Sequence, residues 1–287
     1  MSKKRIQAII LLLAATFIWG VTFPAVKYIL GYINYFQLLF LRFGFASTIG
    51  IFVIIRYRSF LKDKKNLWYL VLLGASLFVS YVFQTAGLKF TMPSKSAFIT
   101  SLYVVFTPAF SALLFKKKIN KYLIVALVLS LIGLVFLSQI DIRSLSTVNI
   151  GDILTFFCSI SFAFQIILTE VLVRDMPSLL VTSFQIFVAL ILTLPFAISN
   201  GSLTLTLPVL LLAMFLGVFA SFLATQAESF SLRHVNSTEA SLIFVLEPVF
   251  AYLFSFVFFK EVLNFKSVIG ALFVVVAMII VAIDNRA

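Results

Sequence analysis

Charge is scarce in this sequence. Asp, Glu, Lys and Arg make up 11% of its 287 residues, and the acids number ten. Soluble domains carry about 25% charged residues. There is one cysteine, Cys158, so no disulfide can form within the chain. There is one histidine, His234, which excludes a Cys or His metal cluster by count and reads as a solvated loop residue beside Arg233. No P-loop, HExxH or DxxxD pattern occurs, so the chain is not expected to consume ATP or to carry a cofactor or metal. What it has instead is apolar length. Hydrophobic residues make up 62% of it, and the mean hydropathy is +1.16. That composition implies an all-α integral membrane protein whose first partner is the lipid bilayer. The net charge of +12 does not point to nucleic acid, because the basic residues cluster in short loops between apolar runs.

Each run of about 20 apolar residues can cross the bilayer as a helix. Ten such runs are predicted, at 6–26, 35–55, 67–86, 95–114, 120–137, 152–172, 178–198, 207–227, 237–258 and 264–283. A membrane barrel would alternate over about ten residues, which these runs do not. The first run follows Lys3, Lys4 and Arg5 but lacks a convincing small-residue cleavage site, so it reads as a retained helix. Fifteen basic residues fall on the side of the termini and even-numbered loops, including Arg56, Arg58, Lys116, Lys117, Lys118, Arg174, Arg233 and Arg286. Six fall on the other: Lys27, Lys89, Lys95, Arg143, Lys260 and Lys266. Both termini are therefore expected in the cytoplasm. With no organelle signal, the expected location is a bacterial inner membrane.

The sequence also repeats. Sliding Ser96–Leu113 forward by 140 positions superposes Ser101 on Ser241, Pro108 on Pro248 and Phe110 on Phe250, besides three Leu and Val identities. The aligned Pro and Ser carry the signal, since apolar residues match by chance. The expected halves are 1–143 and 144–287. Five spans per half is odd, so the second half would be inverted relative to the first. That is a recurring transporter design, with the site near the midplane between the repeats.

Several stretches carry a family resemblance: LLLAATFIWGVTFPAVKYIL, with Trp19-Gly20 and Phe23-Pro24; FQLLFLRFGFA, with Arg42; QTAGLKFTMPSKSAFITSLYVVFTPAFSALL; and ESFSLRHVNSTEASLIFVLEPVFAYLFSFVFFKEVL. In this order, over essentially the whole chain, they resemble the EamA-like family of the drug/metabolite transporter superfamily. The resemblance implies ten helices in two inverted five-helix repeats and movement of amino acids and related metabolites. One departure is visible. The family often ends its fourth span with Gly-Glu, where this chain has Lys116-Lys117-Lys118; the later repeat keeps an acid, Glu261.

The residues that could handle a solute are the polar ones inside the runs. Glu247 precedes Pro248, which removes a backbone donor and disfavours helical geometry at the residue before it. Ionisable groups at membrane depth default to function. Helical spacing puts Asn236, Glu239, Ile243 and Glu247 on one face, with Ser96, Ile99, Tyr103 and Thr107 as the counterpart. The expectation is that these two faces meet and line a cavity in which Glu247 binds an amine or a proton; the alternative is a structural Glu. Glu239 fits a helix start capped by Asn236 or Ser237. Glu228 either lines the cavity or meets interfacial water. Cys158, Ser161, Gln165 and Thr169 share a face, and Gln165 is the site candidate among groups that otherwise join helices. Tyr81 and Gln84 share a face suited to a small organic solute, although Tyr81 equally suits an interface. The resemblance places Trp19 near the central pathway, in packing or gating more than in recognition. Arg42 can snorkel, pair with a carboxylate or attract an anion, and a structural ion pair is favoured. The 35 Phe are read as lipid-facing or packing residues.

The expected substrate-binding set is therefore Trp19, Tyr81, Gln84, Tyr103, Gln165, Glu228 and Glu247. The expected function is secondary transport of a small neutral or zwitterionic solute by alternating access, with proton coupling resting on the embedded carboxylates. Membrane enzymes acting on lipid, and non-transporting scaffolds, are the alternatives. The former usually need paired acids or a nucleophile with its base, and the latter have little use for an inverted duplication.

Overall fold

A computed structural model describes residues 3–114, 121–138, 149–199 and 205–284. Lipid offers the backbone no hydrogen bonds, so long apolar runs must satisfy their own as helices. Helices account for nearly all the described residues, and no strand occurs among them. They are α1 (Lys3–Ile29), α2 (Tyr35–Arg56), α3 (Lys64–Phe90), α4 (Pro93–Thr100), α5 (Tyr103–Leu114), α6 (Lys121–Ser138), α7 (Ile150–Asp175), α8 (Ser178–Ser199), α9 (Leu207–Phe215), α10 (Ala224–Ser231), α11 (Ser237–Ile243), α12 (Glu247–Phe259) and α13 (Phe265–Asp284).

Seven helical stretches among the described residues are long and apolar enough to cross a membrane: Lys3–Ile29, Tyr35–Arg56, Lys64–Phe90, Pro93–Leu114, Ile150–Asp175, Ser178–Ser199 and Leu207–Ser231. The chain is a multi-pass membrane protein. The runs expected at 120–137, 237–258 and 264–283 are helical where described, with shorter apolar helices. The orienting charges Lys116, Lys117, Lys118, Arg143 and Arg286 lie outside the described residues.

Helix starts follow side-chain capping. Asn34 accepts from Phe36 N while Gln37 returns a bond to Asn34 N, a reciprocal cap on α2. Asp63 caps α3 and Asn149 caps α7. Asn149 also donates from Nδ2 to Phe90 O at 2.8 Å, tying the start of α7 to the end of α3.

Three of the crossing paths are broken inside the protein. The first breaks at Ser101–Leu102, between α4 and α5, upstream of Pro108. A second passes from α11 through a 3-10 turn at Phe244–Leu246 into α12, with Pro248 in its first turn. Proline lacks the N–H that would reach the carbonyl four residues back, and its ring crowds that carbonyl. The position four back from Pro248 is Phe244, where the 3-10 turn begins. Glu247 itself is helical (φ −56°, ψ −51°), contrary to the expectation that Pro248 would displace it. The third break is a π-helical stretch, Leu216–Leu223, joining α9 to α10.

The extensive packing is between the two halves of the chain. Helix α2 packs on α8, α3 on α7 and α8, α1 on α10 and α12, and α6 on α13. Two close approaches explain how. A Cβ on Gly74 would lie 2.4 Å from Val188 Cβ and 3.0 Å from Gln185 O. A Cβ on Gly217 would lie 2.6 Å from Phe45 Cβ and 2.7 Å from Arg42 O. These contacts are the same contact used twice: 217 − 74, 188 − 45 and 185 − 42 are all 143 residues. Glycine is required because a neighbouring backbone fills the space a side chain would take.

Gly217→Ala is therefore expected to destabilise the protein by about 1–3 kcal/mol through overpacking against fixed backbone. Gly44→Ala, where nothing lies within 4 Å of the added carbon, should be neutral or stabilising by up to about 1 kcal/mol from helix propensity. Thermal unfolding of both variants in one detergent tests the contrast.

Candidate functional site

Trp19, Tyr81, Gln84, Tyr103, Gln165, Glu228 and Glu247 all line a single interior cavity. They come from α1, α3, α5, α7, α10 and α12, so both halves build it. The space open to water centres is about 40 Å³, room for about three waters by the volume one water needs. That space is too small for an organic solute, and its lining mixes polar side chains with Leu77, Phe162, Ile166 and Phe244.

One wall is acidic. Glu247 is 5% exposed at the start of α12 and accepts a hydrogen bond from the Tyr103 hydroxyl at 2.5 Å. That bond joins α5 to α12 across the halves. Glu228, on α10, is 2% exposed, and its Oε1 has no hydrogen-bond partner among the described residues. The Gln165 side chain lies against its carboxylate. Gln165 Nε2 also donates to Thr169 Oγ1 (3.1 Å) and to Gln185 Oε1 (3.2 Å). Gln165 thus both joins helices and lines the cavity. Ser161 only joins them, donating to Ser76 O of α3 at 3.1 Å.

The same cavity is lined by a cation. Arg42 is 1% exposed in α2. Its Nε donates to Ser221 Oγ at 2.6 Å and its Nη2 to the Tyr81 hydroxyl at 3.1 Å, with the guanidinium 4.3 Å from the Tyr81 ring centroid. The ion pair favoured for Arg42 is not found among the described residues. The ion pairs among the described residues are Arg5–Glu239, Lys95–Asp152 and Arg174–Glu170. A serine hydroxyl and a tyrosine take the place of the carboxylate.

The π-helical stretch organises both Trp19 and Arg42. Ala220 O accepts from Trp19 Nε1 at 2.9 Å, and Ser221 is the Arg42 partner. A π turn leaves carbonyls out of the usual register and is commonly found at functional sites. The indole N–H is spent on this anchor, and the ring packs edge-on against Phe244 at 5.2 Å.

The long polar faces expected on α4–α5 and α11–α12 do not both reach inside. Asn236 Oδ1 caps α11 by accepting from Glu239 N at 2.8 Å, and Glu239 pairs with Arg5 at 2.8 Å. Ser96 faces Thr155, and Thr107 bonds back to Tyr103 O. Only Tyr103 and Glu247 of the two faces reach the cavity. The 3-10 turn winds more tightly than an α-helix and takes Glu239 and Glu247 off a common face.

Closure at the ends involves residues that sequence reasoning missed. On the face holding the end of α3, Asp152 meets Lys95 Nζ at 2.7 Å and accepts from Thr91 Oγ1 at 2.9 Å. Glu261 accepts from Ser94 N and Oγ at the start of α4. Lys27 Nζ donates to the carbonyls of Leu88 (2.7 Å) and Thr91 (2.8 Å) at the end of α3. On the other face, Glu170 binds Arg174 and accepts from Ser237 N at 2.9 Å. The signal available was Asp152 beside Asn149-Gly151, where a helix start needs acceptors. Phe162 and Phe244 also line the cavity. Among so many Phe, no sequence pattern sets them apart.

The whole chain is similar to membrane transport proteins. The EamA-like transporter family model matches twice, at residues 6–139 and 149–283. An uncharacterized transporter of Archaeoglobus fulgidus is 32% identical over 98% of this chain and 87% of its own. The chain belongs to the EamA-like transporter family. The uncharacterized transporter YyaM of Bacillus subtilis is 25% identical over 96% of this chain and 93% of its own. A probable amino-acid metabolite efflux pump of Salmonella typhimurium is 23% identical over 94% and 93%. A crystal structure at 18% identity has the same fold, with a TM-score of 0.71 over 97% of both chains.

Tyr103→Phe leaves a buried Glu247 oxygen without its donor, and should cost about 1–3 kcal/mol. A double-mutant cycle with Glu247→Leu, which removes the acceptor, followed by thermal unfolding, should return a coupling of about 0.5–3 kcal/mol. Additive effects would mean that the bond contributes nothing to holding the halves together.

Proposed function

We propose that the chain is a secondary transporter of a small metabolite, an amino acid or related solute, working by alternating access. The observation that carries this is the interior cavity built by both halves and lined by two carboxylates and a guanidinium. Ten spans in two inverted repeats, 1–143 and 144–287, are the architecture that suits it. The duplicated Gly74 and Gly217 contacts support the repeat, as does the spacing of the two family matches, whose starts at 6 and 149 differ by the same 143 residues. Pairing of α2 with α8 and of α6 with α13, and the matched pairings of α3 with α7 and of α1 with α10, are what a two-fold relation between halves would give. Rocking of such halves exposes a central site to one side at a time.

The name of the Salmonella relative favours export of amino-acid-like solutes. The excess of basic residues on one side supports cytoplasmic termini in a bacterial inner membrane. Two carboxylates and one guanidinium line the cavity, so a zwitterionic solute leaves one acid without a counter-charge. A proton on Glu247 or Glu228 would balance the site and couple transport to the proton gradient.

Reconstituted protein, given a pooled amino-acid and metabolite mixture and read by mass spectrometry, should accumulate a solute when a pH gradient is imposed. Glu247→Gln keeps the acceptor for Tyr103 and loses the titratable proton. It should abolish gradient-driven accumulation while solute exchange at equal pH persists. Unchanged gradient-driven accumulation in Glu247→Gln and in Glu228→Gln would remove proton coupling. Movement of no solute by the wild type would remove the transport reading.

A further inference from the structure

We propose that Arg42 is the residue that recognises the solute's anionic end, a carboxylate, and that the solute lies across the cavity with its cationic end toward Glu228 and Glu247. This rests on the reading of the cavity as a transport site.

Four observations lead there. Arg42 is among the largest fully buried side chains, yet no carboxylate among the described residues forms an ion pair with it. Its partners Ser221 and Tyr81 orient the group but do not neutralise it, and a buried charge without a counter-charge is costly. Those partners use Nε and one hydrogen of Nη2. Guanidinium carries five N–H donors, and among the described residues Nη1 makes no hydrogen bond, which leaves donors of the kind that bind a carboxylate. The group is also held in place: Ser221 sits in the π-helical stretch, and Gly217 brings that stretch against the Arg42 backbone carbonyl.

The fourth observation comes from the duplicated contact. Gln185 occupies in the second half the place that Arg42 occupies in the first, its carbonyl facing Gly74 as that of Arg42 faces Gly217. Gln185 is 0% exposed and neutral. The niche can therefore be filled without a charge, and packing does not explain why one copy carries a guanidinium. The charge does fit a division of labour. The cavity's cation comes from the first half and both of its carboxylates from the second. A solute carrying both charges touches both halves only when they are closed around it, which favours the closed state by its differential contacts.

The test pairs each of the twenty L-amino acids with its own α-carboxamide, which keeps the amine and side chain and removes the carboxylate. Uptake is measured by mass spectrometry in proteoliposomes. Binding is measured in detergent by fluorescence of Trp19 in a Trp68→Phe background, since Trp19 lines the cavity and Trp68 is 65% exposed. Wild type should bind and move at least one acid at least tenfold better than its amide. Arg42→Gln should reduce that preference to about twofold or less, mainly by losing the acid, and Arg42→Lys should restore part of it. If Arg42→Gln does not fold, Ser221→Ala, which removes only the Nε anchor, should weaken the acid without weakening the amide. Equal transport of acid and amide by wild type, or an undiminished preference in both Arg42→Gln and Ser221→Ala, overturns the role of Arg42 and leaves transport standing. Binding of an acid over its amide without movement upholds Arg42 and overturns transport. No binding of any compound in the set overturns both.

Discussion

A charge taken out of water into a bilayer must find its compensation inside the protein, and this constraint shapes the centre of the molecule. Arg42, Glu228 and Glu247 are all at least 95% buried. Each of the three is tied to an irregular turn, although Arg42 itself stands on the unbroken helix α2. Arg42 is held by a π-helical turn, Glu247 follows a 3-10 turn, and Glu228 lies just beyond the π stretch. The breaks in the helices lie beside these three groups, because an irregular turn releases backbone carbonyls and re-aims side chains, and such backbone is tolerated at this depth only within protein. Around this centre the apolar packing is dense enough that single glycines fix how near the helices come.

The same constraint acts differently at the two ends. Arg5–Glu239 has side chains 46% and 30% exposed, and an exposed pair contributes at most about 1 kcal/mol. Lys95–Asp152 is 11% and 5% exposed, and removing one member of a buried pair costs more, about 3–5 kcal/mol. Glu261 adds a carboxylate at the start of α4, where free N–H groups favour negative charge. The end that holds α4 is therefore tied more firmly than the end that holds the N-terminus. Both ties bridge the two halves, so they report on how the halves meet as well as on local helix capping.

Much of this was legible in the sequence, and the reasons are specific. Membrane spans follow from the hydrocarbon thickness, so helix positions could be read from apolar length alone. Polar residues are so few within the runs that Tyr81, Gln84, Gln165, Glu228 and Glu247 stand out without any knowledge of contacts, and the structure gathers them round one space. Arg42 stood out too, but its partner could not be read, because Ser221 is far away in sequence and reaches it only through the π turn. Periodicity failed where the winding changes: the face from Asn236 to Glu247 assumed 3.6 residues per turn through a segment that overwinds. The lock between Lys95 and Asp152 was hidden for another reason. Charges at span ends are ordinary, and only the packing of α3 on α7 brings these two together. The existence of a repeat was legible in the sequence, but its register was not: pairing Pro108 with Pro248 gives an offset of 140, whereas the glycine contacts and the family matches give 143.

The central claim is that this buried cluster is a solute pathway and not a dry polar core. Thiol accessibility tests it most directly. With the native Cys158 replaced by Ser and Thr100, which lines the cavity, replaced by Cys, a membrane-impermeant thiol reagent would be applied to sealed vesicles from each side in turn. The account predicts labelling from both sides, slowed by whichever solute the protein binds. A thiol at position 100 that reacts from neither side in folded, membrane-inserted protein would contradict it.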